Sequence, residues 1–134
     1  MIVVDASAAV DLLIRRQPQA GWVDERLRAD DDLHAPHMID IETANGIRRL
    51  TLRGLVSRSS ARSLLRELAD LRLIRYGHAL LLDRIWQLWP AMTPADAAYV
   101  ALAERLGATL ITTDERLGRT QGHRARILAY QQQV

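Results

Sequence analysis

Four acidic residues stand where the chain changes from one kind of backbone periodicity to another: Asp5, Glu42, Asp96 and Asp114. Asp5 and Asp114 follow short β-branched runs, Ile2-Val3-Val4 and Thr109-Leu110-Ile111-Thr112. Glu42 and Asp96 fall near the starts of helical patterns. Carboxylates gathered at one place repel one another unless a cation joins them or some are protonated. Hard oxygen donors without cysteine favour Mg²⁺ or Mn²⁺ over zinc. Such an ion can activate water and offset the charge that builds at phosphorus, so the chemistry these four residues suit is phosphodiester hydrolysis. The question is whether the fold brings them together.

The pattern of elements says that it does. A strand at 2–4 leads into a helix over 8–14, with Ser7 able to cap it. Pro18 opens a helical stretch to about Ala29, and the acidic turn Asp30-Asp31-Asp32 precedes a strand at 33–35 stopped by Pro36. Helix periodicity returns from about Met38, with Ile39, Ile47 and Leu50, until Gly54. Ser57 or Ser59 caps the next helix, which runs to about Leu71. Leu73–Tyr76 reads as a strand and residues 79–89 as a helix ended by Pro90. A helix from Thr93-Pro94-Ala95-Asp96 to Leu106 closes at Gly107, and strands follow at 109–112 and 126–128.

Strands separated by helices, with no hairpin signal, predict a parallel sheet covered on both faces. The expected fold class is an α/β/α sandwich around a central parallel sheet of about five strands, with residues 1–134 forming one domain. Ligands of such sheets bind beyond the carboxyl ends of the strands. Asp5 and Asp114 lie at that edge directly, and the helix bearing Glu42 starts from it. The helix bearing Asp96 must run antiparallel to the strand that follows it. About eleven helical residues at roughly 1.5 Å each span the same distance as about five strand residues at roughly 3.3 Å. Asp96 therefore returns to the edge where the strand ends.

Composition narrows the chemistry. The 134 residues include 18 Arg but no Lys, no Cys and no Phe. The absence of Lys excludes a P-loop and Schiff-base catalysis, and the absence of Cys excludes disulfides, thiolate zinc sites and cysteine nucleophiles. The longest uninterrupted apolar run, Ala97–Ala103, is far too short to cross a membrane, and Asp5 and Asp11 interrupt the N-terminal apolar stretch. A cytoplasmic location is expected. Net charge is only +2, yet residues 1–47 hold 9 acids against 4 Arg, while residues 48–75 hold 8 Arg against 2 acids. That asymmetry points to partners rather than to general nucleic-acid affinity.

Four segments also resemble one known family. Ile2-Val3-Val4-Asp5-Ala6-Ser7-Ala8-Ala9-Val10 is similar to the opening of PIN-domain nucleases, and specifically of VapC-type toxins of toxin–antitoxin pairs. The segment Pro36–Arg49, with Glu42 and Asn45, resembles the second motif of that family. Thr93–Ala103, with Asp96, resembles the third, and Leu110–Leu117, with Asp114, the fourth. The resemblance runs from residue 1 to about 128. It implies an endoribonuclease dependent on Mg²⁺ or Mn²⁺, acting on tRNA or rRNA, working as a homodimer and neutralised by a cognate VapB-type antitoxin. It also implies Asp5, Glu42, Asp96 and Asp114 as catalytic metal ligands, with Ser7, Asn45 and Thr113 supporting them.

Each of these residues has a structural use as well. Asp5, Ser7, Asp96 and Asp114 are all suited to capping helices or turns, but capping does not require four acids to share one edge. Arg48, Arg49 and Arg53, and then Arg58, Arg62 and Arg66, could hold RNA phosphates or form a solvated face. His34 and His37 flank Pro36 and read as structural, and Trp86 and Trp89 as core or dimer contacts. Phosphoaspartate chemistry on a similar sheet normally places a lysine near the phosphate, and this chain has none. A module that binds RNA or a partner without cutting is the remaining alternative.

Overall fold

The computed structural model describes residues 1–132. Five short strands form one sheet: β1 (Ile2–Val4), β2 (Leu33–Pro36), β3 (Leu73–Tyr76), β4 (Thr109–Thr112) and β5 (Arg126–Ala129), in the order β3-β2-β1-β4-β5. Every neighbouring pair is parallel. The central strand β1 is wholly buried, as a strand covered on both faces must be, and it reads as an unbroken β-branched run. Pro36 is itself the last residue of β2, not the residue after it. It pairs with Tyr76, and the His37 amide continues the ladder by donating to the Tyr76 carbonyl at 2.8 Å.

The helices are α1 (Ala6–Leu13), α2 (Gln19–Ala29), α3 (Ile39–Leu52), α4 (Arg58–Asp70), α5 (Leu82–Gln87), α6 (Pro94–Leu106) and the single turn α7 (Glu115–Gly118). The expected helix over 79–89 is shorter than its pattern suggests: Ala79–Leu81 is a 3₁₀ turn, and the α-helix stops at Gln87. Ser57 is the residue that caps α4, accepting from the Ser60 amide.

Helix α6 is the central helix of the fold. All seven residues Ala97–Ala103 are buried, which is the behaviour of a helix that is apolar on every side. Thr93 caps it, Pro94 stands at its first position, and Gly107 ends it with φ 65°, a left-handed conformation that favours glycine. The main core gathers β1, β4 and α6 with Ile39, Ile85 and Leu88. A second, smaller cluster of Leu13, Ile47, Leu64 and Leu68 joins α1, α3 and α4. Gly46 lets α3 approach α1 closely, since a Cβ there would stand 2.8 Å from a Val10 methyl. These contacts fix the helix starts around the carboxyl edge of the sheet.

Candidate active site

Asp5 ends β1 and begins α1 in one step. Its backbone is extended, and its Oδ1 accepts from the Ala8 amide at 2.9 Å. Asp5, not Ser7, is therefore the cap of α1. The Ser7 hydroxyl turns back instead and donates to Asp5 Oδ1 at 2.7 Å, while the Thr112 hydroxyl donates to Oδ2. Those hydroxyls are themselves anchored, because Ser7 Oγ accepts from the Thr113 amide at 3.1 Å and Thr112 Oγ1 from the Asp114 amide at 3.0 Å. Burial raises the Asp5 carboxyl to about 6, against the pull of Thr112, Ala8 and Ser7, and the nearby charge of Asp114 adds to the rise.

Glu42 sits in the first turn of α3, where the helix dipole favours an acid. The Tyr99 hydroxyl, reaching from the core side of α6, donates to Glu42 Oε1 at 2.6 Å. Burial, then the bond to Glu42, pushes the Tyr99 phenol well above its ordinary range, so it is a fixed donor at any working pH. Asp96 lies in the first turn of α6, its amide bonded to the capping Thr93 hydroxyl at 3.2 Å. Asp114 caps α7 by accepting from the Arg116 amide at 3.0 Å. One guanidinium nitrogen of Arg116 joins these two acids, 3.1 Å from Asp96 Oδ2 and 3.0 Å from Asp114 Oδ2. Both carboxylates hold the Arg116 pKa above its usual value.

Asp5, Glu42, Asp96 and Asp114 all line one open cleft of about 1590 Å³ at the carboxyl edge. Ser7, Asn45 and Thr113 line it too. Asn45 stands three residues after Glu42, on the same side of α3. Thr113 contributes its backbone amide, and the hydroxyl on Asp5 belongs to its neighbour Thr112. Of the six arginines singled out from the sequence, Arg49 and Arg53 line the cleft, whereas Arg48, Arg58, Arg62 and Arg66 do not. On α4 the cleft wall is Ser59, Ser60, Ser63, Leu64 and Glu67, which leaves the arginine row at 58, 62 and 66 to solvent. Away from the four acids the cleft continues between α1, α3 and α4, past Val10, Ile14, Leu50, Leu55 and Val56 and the charged Asp11, Arg15, Arg16 and Glu67.

The donor chemistry of this edge fits a hard divalent ion: the four carboxylates share one cleft, which Asp11 and Glu67 also line, with no sulfur and no imidazole among its lining. As the side chains stand, each acid faces a partner from the chain itself. Among the described residues no three His, Cys, Asp or Glu groups are gathered tightly enough to hold an ion. Asp5 faces two hydroxyls, Glu42 faces Tyr99, and Asp96 and Asp114 share Arg116.

Three of these partners escaped sequence reasoning: Thr112, Tyr99 and Arg116. The register offered a signal for the first. Val4 pairs with Ile111, so the next residue on each strand, Asp5 and Thr112, come side by side. Elsewhere, His34 is a buried structural residue, held between Tyr76 Oη at 2.7 Å and Asp32 Oδ1 at 2.8 Å. Trp86 and Trp89 are not core residues. They are 66% and 58% exposed and stacked on each other, with ring centroids 5.9 Å apart.

A family model for the PIN domain matches residues 2–122. Ribonuclease VapC9 of Mycobacterium tuberculosis is 42% identical over 120 residues, covering 90% of this chain and 91% of the relative. Ribonuclease VapC12 of the same species is 41% identical over 127 residues, covering 95% and 97%. Among solved structures, VapBC2 from Rickettsia felis, bound to a DNA fragment from its promoter, matches with a TM-score of 0.69 at 15% identity, covering 98% of this chain and 100% of that one. VapC20 of M. tuberculosis, a toxin that cleaves the sarcin-ricin loop, matches with a TM-score of 0.67 at 17% identity, covering 88% and 93%. With the fold and the four-acid edge in place, these likenesses assign the chain to the PIN-domain family, among the VapC ribonucleases.

Proposed function

We propose that this endoribonuclease toxin cuts RNA with the help of Mg²⁺ or Mn²⁺ held by Asp5, Glu42, Asp96 and Asp114. The observation that carries this reading is the convergence of all four carboxylates on one cleft from four separate elements. When bound, the ion would supply a Lewis acid that polarises the phosphoryl oxygen and a source of nucleophilic water near neutral pH. The chain's own groups orient the acids. Thr112 and Ser7 fix both oxygens of Asp5, Tyr99 fixes Glu42, and the helix caps fix Asp96 and Asp114. Asn45 and Thr113 border the acids, and Arg49 and Arg53 line the same cleft, where they can hold the substrate's phosphates.

The products expected are a 3′-hydroxyl and a 5′-phosphate, and tRNA or rRNA is the substrate class. The likeness to a toxin of the sarcin-ricin loop supports including rRNA, though that match shares only the fold. The far half of the cleft, where Leu52 and Leu55 are about 70% exposed beside Arg15, Arg16 and Glu67, suits a VapB-type antitoxin chain laid between α1, α3 and α4. A homodimer would cover Leu82, Trp86 and Trp89, which present one exposed apolar face at helical spacing. No described helix is long and apolar enough to cross a membrane, and the cytoplasm is the location we assign. The relatives are named as ribonucleases and no acid is missing here, so a non-cutting binding module is not favoured.

Incubating the protein with purified tRNA and ribosomal RNA in Mg²⁺ or Mn²⁺, then mapping fragment ends, tests the reading. Discrete cuts with 5′-phosphate ends are expected. Fragments ending in 2′,3′-cyclic phosphate would replace metal-assisted hydrolysis with attack by the ribose hydroxyl.

A further inference from the structure

The four acids are satisfied in two different ways. Asp5 and Glu42 face neutral hydroxyls, whereas Asp96 and Asp114 face a cation, Arg116. The geometry of that ion pair differs from the others in the chain. Arg75 grips Asp40 with two nitrogens at 2.8 and 2.9 Å, and Arg84 grips Glu104 with two at 2.7 and 2.9 Å. Those forks match one carboxylate each, which is how arginine serves structure. Arg116 instead sets a single nitrogen between two carboxylates from different elements, at 3.1 and 3.0 Å. Its side chain is 61% exposed, so charge rather than packing keeps it there. Asp96 and Asp114 are also two of the four acids that would hold a divalent ion.

We propose that Arg116 is a resident counter-cation of the site, which a divalent ion must displace from Asp96 and Asp114 in order to bind. The inference rests on the metal reading above. Arg116 keeps the two acids from repelling each other when no ion is present, and by competing it lowers the affinity of the site for one. It is a positioning residue: it acts on the acids, not on the substrate. Its backbone amide, which donates to the capping Asp114 Oδ1, is untouched by substitution of the side chain.

The test compares wild type with Arg116→Gln and Arg116→Lys, by calorimetric titration with Mn²⁺ and by thermal melting in EDTA. The Gln variant is expected to bind Mn²⁺ about tenfold more tightly. It should melt a few degrees lower in EDTA, a gap that closes when Mn²⁺ saturates the site. The Lys variant, which restores the charge, should return both values toward wild type. An arginine that served only to hold the acids in place would weaken metal binding when removed. Equal or weaker binding by Arg116→Gln, with wild type binding normally, overturns this inference alone. Absence of Mn²⁺ binding by wild type and variants alike overturns the metal reading, and the competition with it.

Discussion

The two ends of the cleft are built on opposite terms. At the sheet edge the acidic groups have all found partners within the chain, through hydroxyls, a phenol and a guanidinium. Between α1, α3 and α4 the cleft is open and its lining mixes aliphatic side chains with Arg15, Arg16 and Glu67, and Leu52 and Leu55 are largely exposed. A site that satisfies itself internally is organised for a small, hard, exchangeable ligand. A lining that leaves apolar surface wet is organised for a large partner that excludes water. In the proposed reading the cleft holds an enzyme site and a docking site side by side, and a chain bound at the far end would also close the way to the acids.

This contrast can be broken from either end. Asp5→Asn should lower RNA cleavage by about 10³-fold or more, read in single-turnover assays, while near-ultraviolet circular dichroism stays native. The pair Leu52→Asp and Leu55→Asp should do the reverse. Affinity for the cognate antitoxin should fall by about 100-fold in titration calorimetry, and cleavage should stay within about threefold of wild type. If the double substitution impaired cleavage as much as antitoxin binding, the division of the cleft would fail.

The acidic end also predicts a pH dependence. Burial holds the Asp5 carboxyl at about 6 in the fold, above its ordinary 3.8, so the folded metal-free protein keeps a proton that the unfolded chain releases. The stability this supplies is complete below about pH 4 and is lost as pH rises through about 6. Urea unfolding in EDTA should show wild type losing up to about 3 kcal/mol relative to Asp5→Asn across that window. A constant difference between the two would place the carboxyl in an ordinary environment. The smallest effect belongs to Tyr99→Phe, which removes the donor to Glu42 without opening a cavity. Cleavage should drop about tenfold or less, and the melting temperature by only a few degrees.

Much of this architecture was legible in the sequence, and the reasons are specific. The strands are short β-branched or aliphatic runs bounded by Asp, Pro or Gly, and Ser57, Thr93 and Gly107 mark helix ends by ordinary capping chemistry. The parallel sheet, with the helix lengths, sufficed to bring Asp96 to the edge that holds Asp5. Local pattern failed where the outcome depended on tertiary neighbours. The apolar run after Ala79 spends its first turn as 3₁₀ before α5 begins. Arg58, Arg62 and Arg66 recur at helical spacing, but the buried stripe of Leu64 and Leu68 turns that row away from the cleft. The partners of the acids lie far off along the chain: Thr112 reaches Asp5 across 107 positions, and Tyr99 reaches Glu42 across 57. A tyrosine in an apolar helix reads as core, and its hydroxyl gains meaning only when α6 is packed beside α3.

We propose that the four-acid edge cuts RNA through a bound divalent ion. The most direct test is cleavage of total tRNA and ribosomal RNA by matched preparations of wild type and Asp96→Asn, each with Mg²⁺, Mn²⁺ or excess EDTA. Discrete cuts are predicted only for wild type with metal. Cuts of the same pattern that persist in EDTA, or in the Asp96→Asn protein, would contradict it.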